Sequence, residues 1–305
     1  MNKQKSPKVI VIAGPTAAGK TGAAIKLARI LDGEIISADS VQVYKYLDIG
    51  SAKPTAKEQS KAVHHLIDVV APDQYFSGGK YADLGRKVIL DIEERQKKVI
   101  VCGGTGLYIR ALLSGLFKGP SADLKLRKHL REQESKTPGS LHEYLLKIDP
   151  EKAEKIHPND QLRLIRAIEV FELTGIPLSV HHKQHQKQPS FREYEIYVLD
   201  PPAEILKERI VKRVEQMLDQ GFVEEVEDLL ARGYSPKLRS LQTKGYKEVV
   251  SFLQGDLNKK ELKAAIIKSH LRYVKQQRTW FRKKPNHLSR PEDLPVEEIR
   301  SFFSD

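Results

Sequence analysis

The chain has 305 residues, a formal net charge of +12 from 52 Lys and Arg against 40 Asp and Glu, and a single cysteine. That length suits one large domain or a core with a smaller companion, and one cysteine excludes an internal disulfide or a thiolate metal cluster and suits a reducing cytoplasm. No run approaches the ~20 apolar residues of a membrane span, residues 1–7 lack a signal core, and the positive charge serves either a polyanionic partner or plain solubility.

Residues 8–13 (KVIVIA) are a continuous apolar run, which predicts a buried strand. Gly14-Pro15-Thr16-Ala17-Ala18-Gly19-Lys20-Thr21 comes next and fits the phosphate-loop pattern G-x-x-x-x-G-K-[ST] without a mismatch. A helix over 21–31 follows, with Ala24, Leu27, Ala28 and Leu31 on one face. In that setting backbone N–H groups close around phosphate oxygens and the helix N-terminus adds partial positive charge. Lys20 supplies a point charge, and the Thr21 hydroxyl can ligate Mg2+. A di- or triphosphate ligand is implied, but not which one.

A second strand, Ile35-Ile36-Ser37-Ala38, ends in Asp39-Ser40-Val41-Gln42-Val43-Tyr44. After a polar loop over 45–59, a third strand is predicted over 64–70 and a helix over 81–96. The fourth strand, 99–102, ends in Gly103-Gly104-Thr105-Gly106 and leads into a helix over 107–113. Alternating apolar strands and helices predict an α/β, P-loop NTPase-like parallel sheet covered by helices on both faces. The pattern changes near 118–120. Charged helix is predicted over 123–149, then a helix over 161–174 with Asn159 as N-cap, Leu162, Ile165, Ile168 and Phe171 as its apolar face, and Gly175 as its stop. The His-rich stretch 181–188 reads as a mobile polar linker. The expected division is 1–118 for the first part of the core, 119–187 for a smaller all-helical insertion, and 188–305 for the rest of the core with a basic helical C-terminal region. In that last part a strand spans 194–199, and helices over 205–218 and 223–231 are separated by Gly221.

Ligands of open parallel sheets sit at the carboxyl ends of the strands. Three such ends are marked here by the phosphate loop, Asp39-Ser40 and the Gly-Gly-Thr-Gly turn. Asp39 can serve as a general base, a metal ligand or a strand-end cap. The glycines at 103, 104 and 106 either permit positive φ or let a flat substrate approach the backbone; the second reading is preferred, with Thr105 offering a hydroxyl. Arg209 and Arg213 share a helix face and either close over a diphosphate or form a solvated basic face. His64 and His65 point to opposite faces of a strand, and His181, His182 and His185 sit in a polar stretch with no Cys or carboxylate to complete a metal site, so zinc is not expected. Residues 270–284 interleave cations with Tyr273, Trp280 and Phe281, which suits a nucleic-acid surface or an amphipathic helix that packs Trp280 inward.

In combination these segments are more specific than the phosphate loop alone. Asp39-Ser40-Val41-Gln42-Val43-Tyr44, Gly103-Gly104-Thr105-Gly106-Leu107-Tyr108, Asp160…Arg163…Arg166-Ala167-Ile168-Glu169-Val170, Gly245-Tyr246-Lys247-Glu248 and Thr279-Trp280-Phe281 occur in this order. Over nearly its whole length the chain resembles the bacterial tRNA dimethylallyltransferases, or isopentenyltransferases. The resemblance implies transfer of a dimethylallyl group from dimethylallyl diphosphate to N6 of the adenosine at position 37 of tRNA, with diphosphate released. It implies that residues 14–21 with Arg209 and Arg213 hold the diphosphate, that Asp39 is the general base, and that Thr105 lies near the reaction centre. It also implies tRNA contacts from Asp39, Ser40, Val41, Gln42, Thr105, Arg127, Gln161, Leu162, Arg163, Leu164, Ile165, Gly245, Tyr246 and Lys275. Gln276 stands where the family usually has Arg, which shifts RNA affinity toward Arg278 or Arg272. The expected partners are the tRNA anticodon stem-loop and the donor, with Mg2+ as cofactor, no membrane, and a monomer in the cytoplasm. A small-molecule or nucleoside kinase shares the loop and the arginines but leaves the basic aromatic segment unexplained. The guanine-reading Asn-Lys-x-Asp is absent, which weakens a nucleotide-switched RNA binder.

Overall fold

The computed structural model describes residues 8–187 and 189–304; the leading residues, whose lack of a signal core was read above, lie outside them, as does Gln188 at the end of the His-rich stretch. Six strands form one parallel sheet: β1 (Lys8–Ala13), β2 (Gly33–Ser37), β3 (His64–His65), β4 (Lys98–Gly103), β5 (Glu193–Leu199) and β6 (His287–Leu288). Their order is β3-β2-β4-β1-β5-β6. The central strands are apolar on both faces, as helix-covered parallel strands are: Val9, Ile10, Val11 and Ile12 of β1 are all fully buried. Ala13 pairs with Gly103 and Ser37 with Cys102, so three neighbouring strands end almost level. The phosphate loop, the Asp39 turn and the Gly-Gly-Thr-Gly turn therefore leave the sheet side by side.

The third strand is much shorter than the seven apolar-looking residues suggest. Leu66 and Asp68 have φ of 61° and 56°, in the left-handed region, so the pleat stops after His65. Val70 keeps a single bridge to Tyr44. His65 Nε2 lies 2.6 Å from the Glu34 carboxylate, and His64 Nδ1 lies 2.8 Å from the Ala62 carbonyl.

The chain divides into two compact units, Met1–Leu113 with Phe191–Asp305, and Ser114–Ser190. The first unit carries the sheet with α1 (Lys20–Leu31), α2 (Ala56–Gln59), α3 (Gly78–Glu94) and α4 (Gly106–Ser114). The second holds α5 (Leu124–Lys136), α6 (Ser140–Ile148), α7 (Pro150–Ala153), α8 (Gln161–Thr174) and α9 (Leu178–Gln186). The first then resumes with α10 (Ala203–Asp219), α11 (Phe222–Ala231), α12 (Tyr246–Leu253), α13 (Lys259–Phe281) and α14 (Val296–Ser304). No helix among the described residues is long and apolar enough to cross a membrane.

The helical unit departs from its sequence reading in three places. The charged helix breaks into α5 and α6 at Gly139, whose φ is 91°. The N-cap of α8 is Asp160 rather than Asn159, because the Asp160 carboxylate accepts from the Arg163 amide at 3.2 Å. The linker expected at 181–188 is largely helix α9. Its polar composition is compensated by contacts along the chain: Asp149 Oδ2 accepts the Ser179 amide, the His181 ring stacks on Phe117 at 4.1 Å, and Lys183 pairs with Glu151.

A buried ion cluster anchors this unit. Glu169 is fully buried, and its carboxylate accepts two bonds of 2.7 Å from Arg127, one of 2.5 Å from Arg166, and one of 2.9 Å from the Asp123 amide. Burial pushes its pKa up, but the bonds from Arg127, Arg166 and Asp123 hold it below the ordinary glutamate value. That stabilisation is present above the unfolded-state pKa and is lost as pH falls through the lowered folded one. Removing one partner of such a cluster leaves charge buried and unpaired, so Glu169→Ala is expected to destabilise the helical unit by about 3–5 kcal/mol. Denaturant unfolding followed by circular dichroism checks this.

Candidate active site

The three loops open into one cavity of about 480 Å³, lined by Thr16, Lys20, Thr21, Asp39, Arg213 and Lys244 among others. That volume lies within the range of about 300–1,000 Å³ typical of small-molecule pockets. The phosphate loop is shaped by Gly14, Ala17 and Gly19, all at positive φ (139°, 64° and 91°). Ala17 shows that the loop, and not glycine alone, imposes this backbone. Lys20 Nζ donates to the Pro15 carbonyl at 2.7 Å, arching over the loop. Burial depresses the Lys20 pKa to about 8, and Arg213 lowers it further while Cys102 and Asp39 oppose the shift. Burial raises the Cys102 thiol to about 11, so the lone cysteine is protonated at neutral pH.

Arg209 and Arg213, both on α10, reach the loop. Arg213 Nη1 donates to Thr16 Oγ1 at 3.2 Å, and Arg209 Nη1 approaches the Ala17 carbonyl at 3.4 Å. The solvated-face alternative fails for Arg213, which is partly buried and has its pKa lowered, chiefly by burial. Of the two, Arg213 lines the cavity, whereas Arg209 is exposed.

Asp39 Oδ1 accepts from the Val41 amide at 2.8 Å and the Gln42 amide at 3.4 Å, which makes it the cap of its own turn. Oδ2 has no hydrogen bond among the described residues. The capping reading is met by Oδ1. Thr105 Oγ1 accepts the Ser40 amide at 3.0 Å, and the Thr105 amide donates to Ala38 O at 3.0 Å, tying the two turns together. Gln42 is committed to its own chain: it accepts from Ser37 Oγ at 2.9 Å and donates to Ala52 O at 3.2 Å.

The glycines of the 103–106 turn serve neither of the purposes expected of them. None has positive φ, and the space over them is filled by protein. A Cβ at Gly103 would lie 2.2 Å from Ala38 O, one at Gly104 2.1 Å from Gln277 Nε2, and one at Gly106 1.9 Å from Trp280 Nε1. They are small so that neighbouring backbone and two side chains of α13 can close in. Trp280 accordingly lies over this turn and is 40 % exposed, so it is not packed into the core.

The sequence reading missed the wall that α13 supplies. Gln277 is buried; its Oε1 accepts the Thr16 amide at 2.9 Å and its Nε2 donates to Gly104 O at 3.0 Å. His270 and Tyr273 also line the cavity. Burial lowers the His270 pKa to about 4, so its ring is neutral at physiological pH. Lys244 Nζ sits 3.3 Å from the centroid of the Tyr273 ring, and burial lowers its pKa while Asp39 and Glu248 raise it. The signal was present in the spacing 270, 273, 277, a single helical face bearing three hydrogen-bonding side chains in an otherwise cationic run.

Several residues expected to meet RNA are placed elsewhere. Tyr246 is fully buried with its hydroxyl donating to Glu225 at 2.7 Å, and Gly245 opens α12 beneath it. In α8, Leu164 and Ile165 belong to the helical core, whereas Gln161, Leu162 and Arg163 face solvent. Leu162 is 71 % exposed, so it is not part of the apolar face assigned to it. Arg127 spends its guanidinium on Glu169, and Arg278 pairs with Asp200 at 2.6 Å, which removes it as the substitute cation for Gln276. Lys275 and Arg272 remain exposed on α13.

Comparison with known proteins places this cavity in a family. The family model described as IPP transferase matches residues 42–284. A tRNA dimethylallyltransferase 2 of Syntrophus aciditrophicus is 46% identical over 281 residues, which cover 91% of this chain and 89% of that protein. The solved tRNA isopentenylpyrophosphate transferase of Bacillus halodurans is 37% identical, with 97% and 95% of the two chains covered and a TM-score of 0.70. A eukaryotic dimethylallyltransferase, solved acting on tRNA, is 30% identical over 90% of this chain and 70% of its own, with a TM-score of 0.78. Sequence and fold agree across nearly the entire length, and the chain belongs to the IPP transferase family.

Proposed function

We propose that the chain transfers the dimethylallyl group of dimethylallyl diphosphate to N6 of adenosine 37 in tRNA. The observation that carries this reading is the single cavity in which a phosphate loop and a strand-end carboxylate face the same space. The loop, Lys20, Arg209 and Arg213 grip the diphosphate and stabilise the negative charge that grows on it as the C1–O bond breaks. The exocyclic amine attacks C1, forming the N6–C1 bond, and its proton passes to Asp39. Thr105, bonded to Ser40, holds the Asp39 turn in place. The target base must leave its stack to reach the cavity, which costs least in a single-stranded loop.

Mg2+ suits the donor set. It typically takes one or two protein oxygens with phosphate oxygens and water, and the Thr21 hydroxyl lines the cavity. Bound there, it would neutralise charge on the departing diphosphate. The other partner is the tRNA anticodon stem-loop, met by exposed cations such as Lys275, by Ser40, by Val41 at the cavity, and by Gln161, Leu162 and Arg163 on the helical unit. A monomer acting in the cytoplasm fits this reading.

The deciding experiment supplies labelled dimethylallyl diphosphate, labelled ATP and unmodified tRNA together. Label from the isoprenoid on adenosine 37 supports the proposal, and phosphate moved from ATP with no prenylated RNA refutes it in favour of a kinase. Asp39→Asn keeps an oxygen for the Val41 amide and removes only the base. It is expected to lower kcat by about 10²–10⁴-fold with RNA affinity within threefold, by single-turnover kinetics and anisotropy. For Lys20, the ammonium is lost as pH rises through about 8, so donor affinity is expected to fall on the order of tenfold per pH unit above that point. Calorimetric titration from pH 7 to 9.5 measures this, and Lys20→Met should bind weakly and without the pH slope.

A further inference from the structure

Tyr75 is an outlier on the surface of the sheet unit. Its ring is 62 % exposed, among the most exposed large apolar side chains of the protein. Two cations flank it: the Arg239 guanidinium at 5.8 Å and the Lys80 ammonium at 6.0 Å from the ring centroid. Lys80 Nζ also donates to the Tyr75 carbonyl at 3.1 Å, so it is held beside the ring. The segment is pinned as well. Ser240 Oγ, buried, donates to the Pro72 carbonyl at 2.7 Å, which fastens the loop that carries Arg239 to the loop that carries Tyr75. The Ala71 amide donates to Gln74 Oε1 at 3.1 Å within the turn.

A chain of ring contacts runs from the residue next to Tyr75 to the strand that ends at Asp39. Phe76 is buried and meets Tyr108 edge-on at 6.3 Å, Tyr108 stacks on Tyr81 at 4.2 Å, and the Tyr81 hydroxyl donates to Ser37 O, two residues before Asp39. A preorganised, exposed ring with two cations close by is what a single-stranded nucleic acid needs: the ring stacks a base and the cations take the adjoining phosphates.

We propose that Tyr75, with Arg239 and Lys80, is a stacking step for an anticodon-loop base next to the target adenosine, holding the loop while that adenosine enters the cavity. This rests on the tRNA reading given above. The test uses the full chain and an anticodon stem-loop with 2-aminopurine next to the target. Tyr75→Ala is expected to raise Kd and the RNA KM about five- to tenfold, leave kcat within twofold, and abolish the 2-aminopurine quench. Tyr75→Trp restores affinity and quench, whereas Tyr75→Leu, which keeps bulk without a stacking face, does not. Arg239→Ala should reduce the slope of log Kd against log salt by about 0.7. The inference is overturned if Tyr75→Ala binds within twofold of wild type, or if Leu restores binding as well as Trp does. If the wild type binds RNA through Tyr75 but transfers no prenyl group, the function reading falls and the stacking step stands; a prenylating wild type with an indifferent Tyr75→Ala variant gives the reverse.

Discussion

Gln277 projects from α13 into the gap between two loops that never meet in sequence, accepting from the Thr16 amide and donating to the Gly104 carbonyl. The bond to Gly104 is buried and that to Thr16 half-buried, and a buried amide left unpaired costs about 1–3 kcal/mol. The phosphate loop and the Gly-Gly-Thr-Gly turn therefore hold their spacing or leave a buried polar group unsatisfied. The absence of a side chain at Gly104 follows from that bridge, since any Cβ would occupy the place of the Gln277 amide. Through Thr105 and Ser40 the same constraint reaches the Asp39 turn, so that turn and the phosphate loop share one frame.

A second carboxylate frames the opposite wall. Glu225 of α11 accepts the amides of Asp48, Ile49 and Gly50 as well as the Tyr246 hydroxyl. It gathers the segment that follows the Asp39 turn and sets it against Phe222 and Tyr246, which pack edge to face at 5.0 Å. Gly50 has no room for a Cβ, which would fall 2.1 Å from the Phe222 ring. The buried tyrosine thus shapes the cavity without lining it, although its motif draws attention as if it met the substrate.

Much of this was legible from the chain alone because it is local. A continuous apolar strand, a phosphate loop and the helix behind it are set by neighbours within a dozen residues, and so is the strand-end position of Asp39. What stayed hidden depends on partners far away in sequence. Gln277 lies 261 positions from Thr16, and the 270, 273, 277 spacing marks a polar face without saying which loops it bridges. The glycines at 103, 104 and 106 announced a tight approach but not what approaches. Helix α9 was read as linker because its composition is polar, whereas its order comes from Phe117, Asp149 and Glu151. In α8 the apolar face holds at Ile165 and Ile168 but begins at Leu164 and not at Leu162.

The pairing of Arg278 with Asp200 bears on how the molecule responds to ionic strength. A guanidinium already neutralised by its own chain displaces no counterion when a phosphate approaches, and Arg127 and Arg166 share the single negative charge of Glu169. Sensitivity of RNA association to added salt therefore counts the solvent-facing lysines and arginines, such as Lys275 and Arg272, and the arginine-rich appearance of the motifs overstates it. Long-range attraction is governed by the whole excess of +12, but the ionic contribution to grip comes from far fewer side chains.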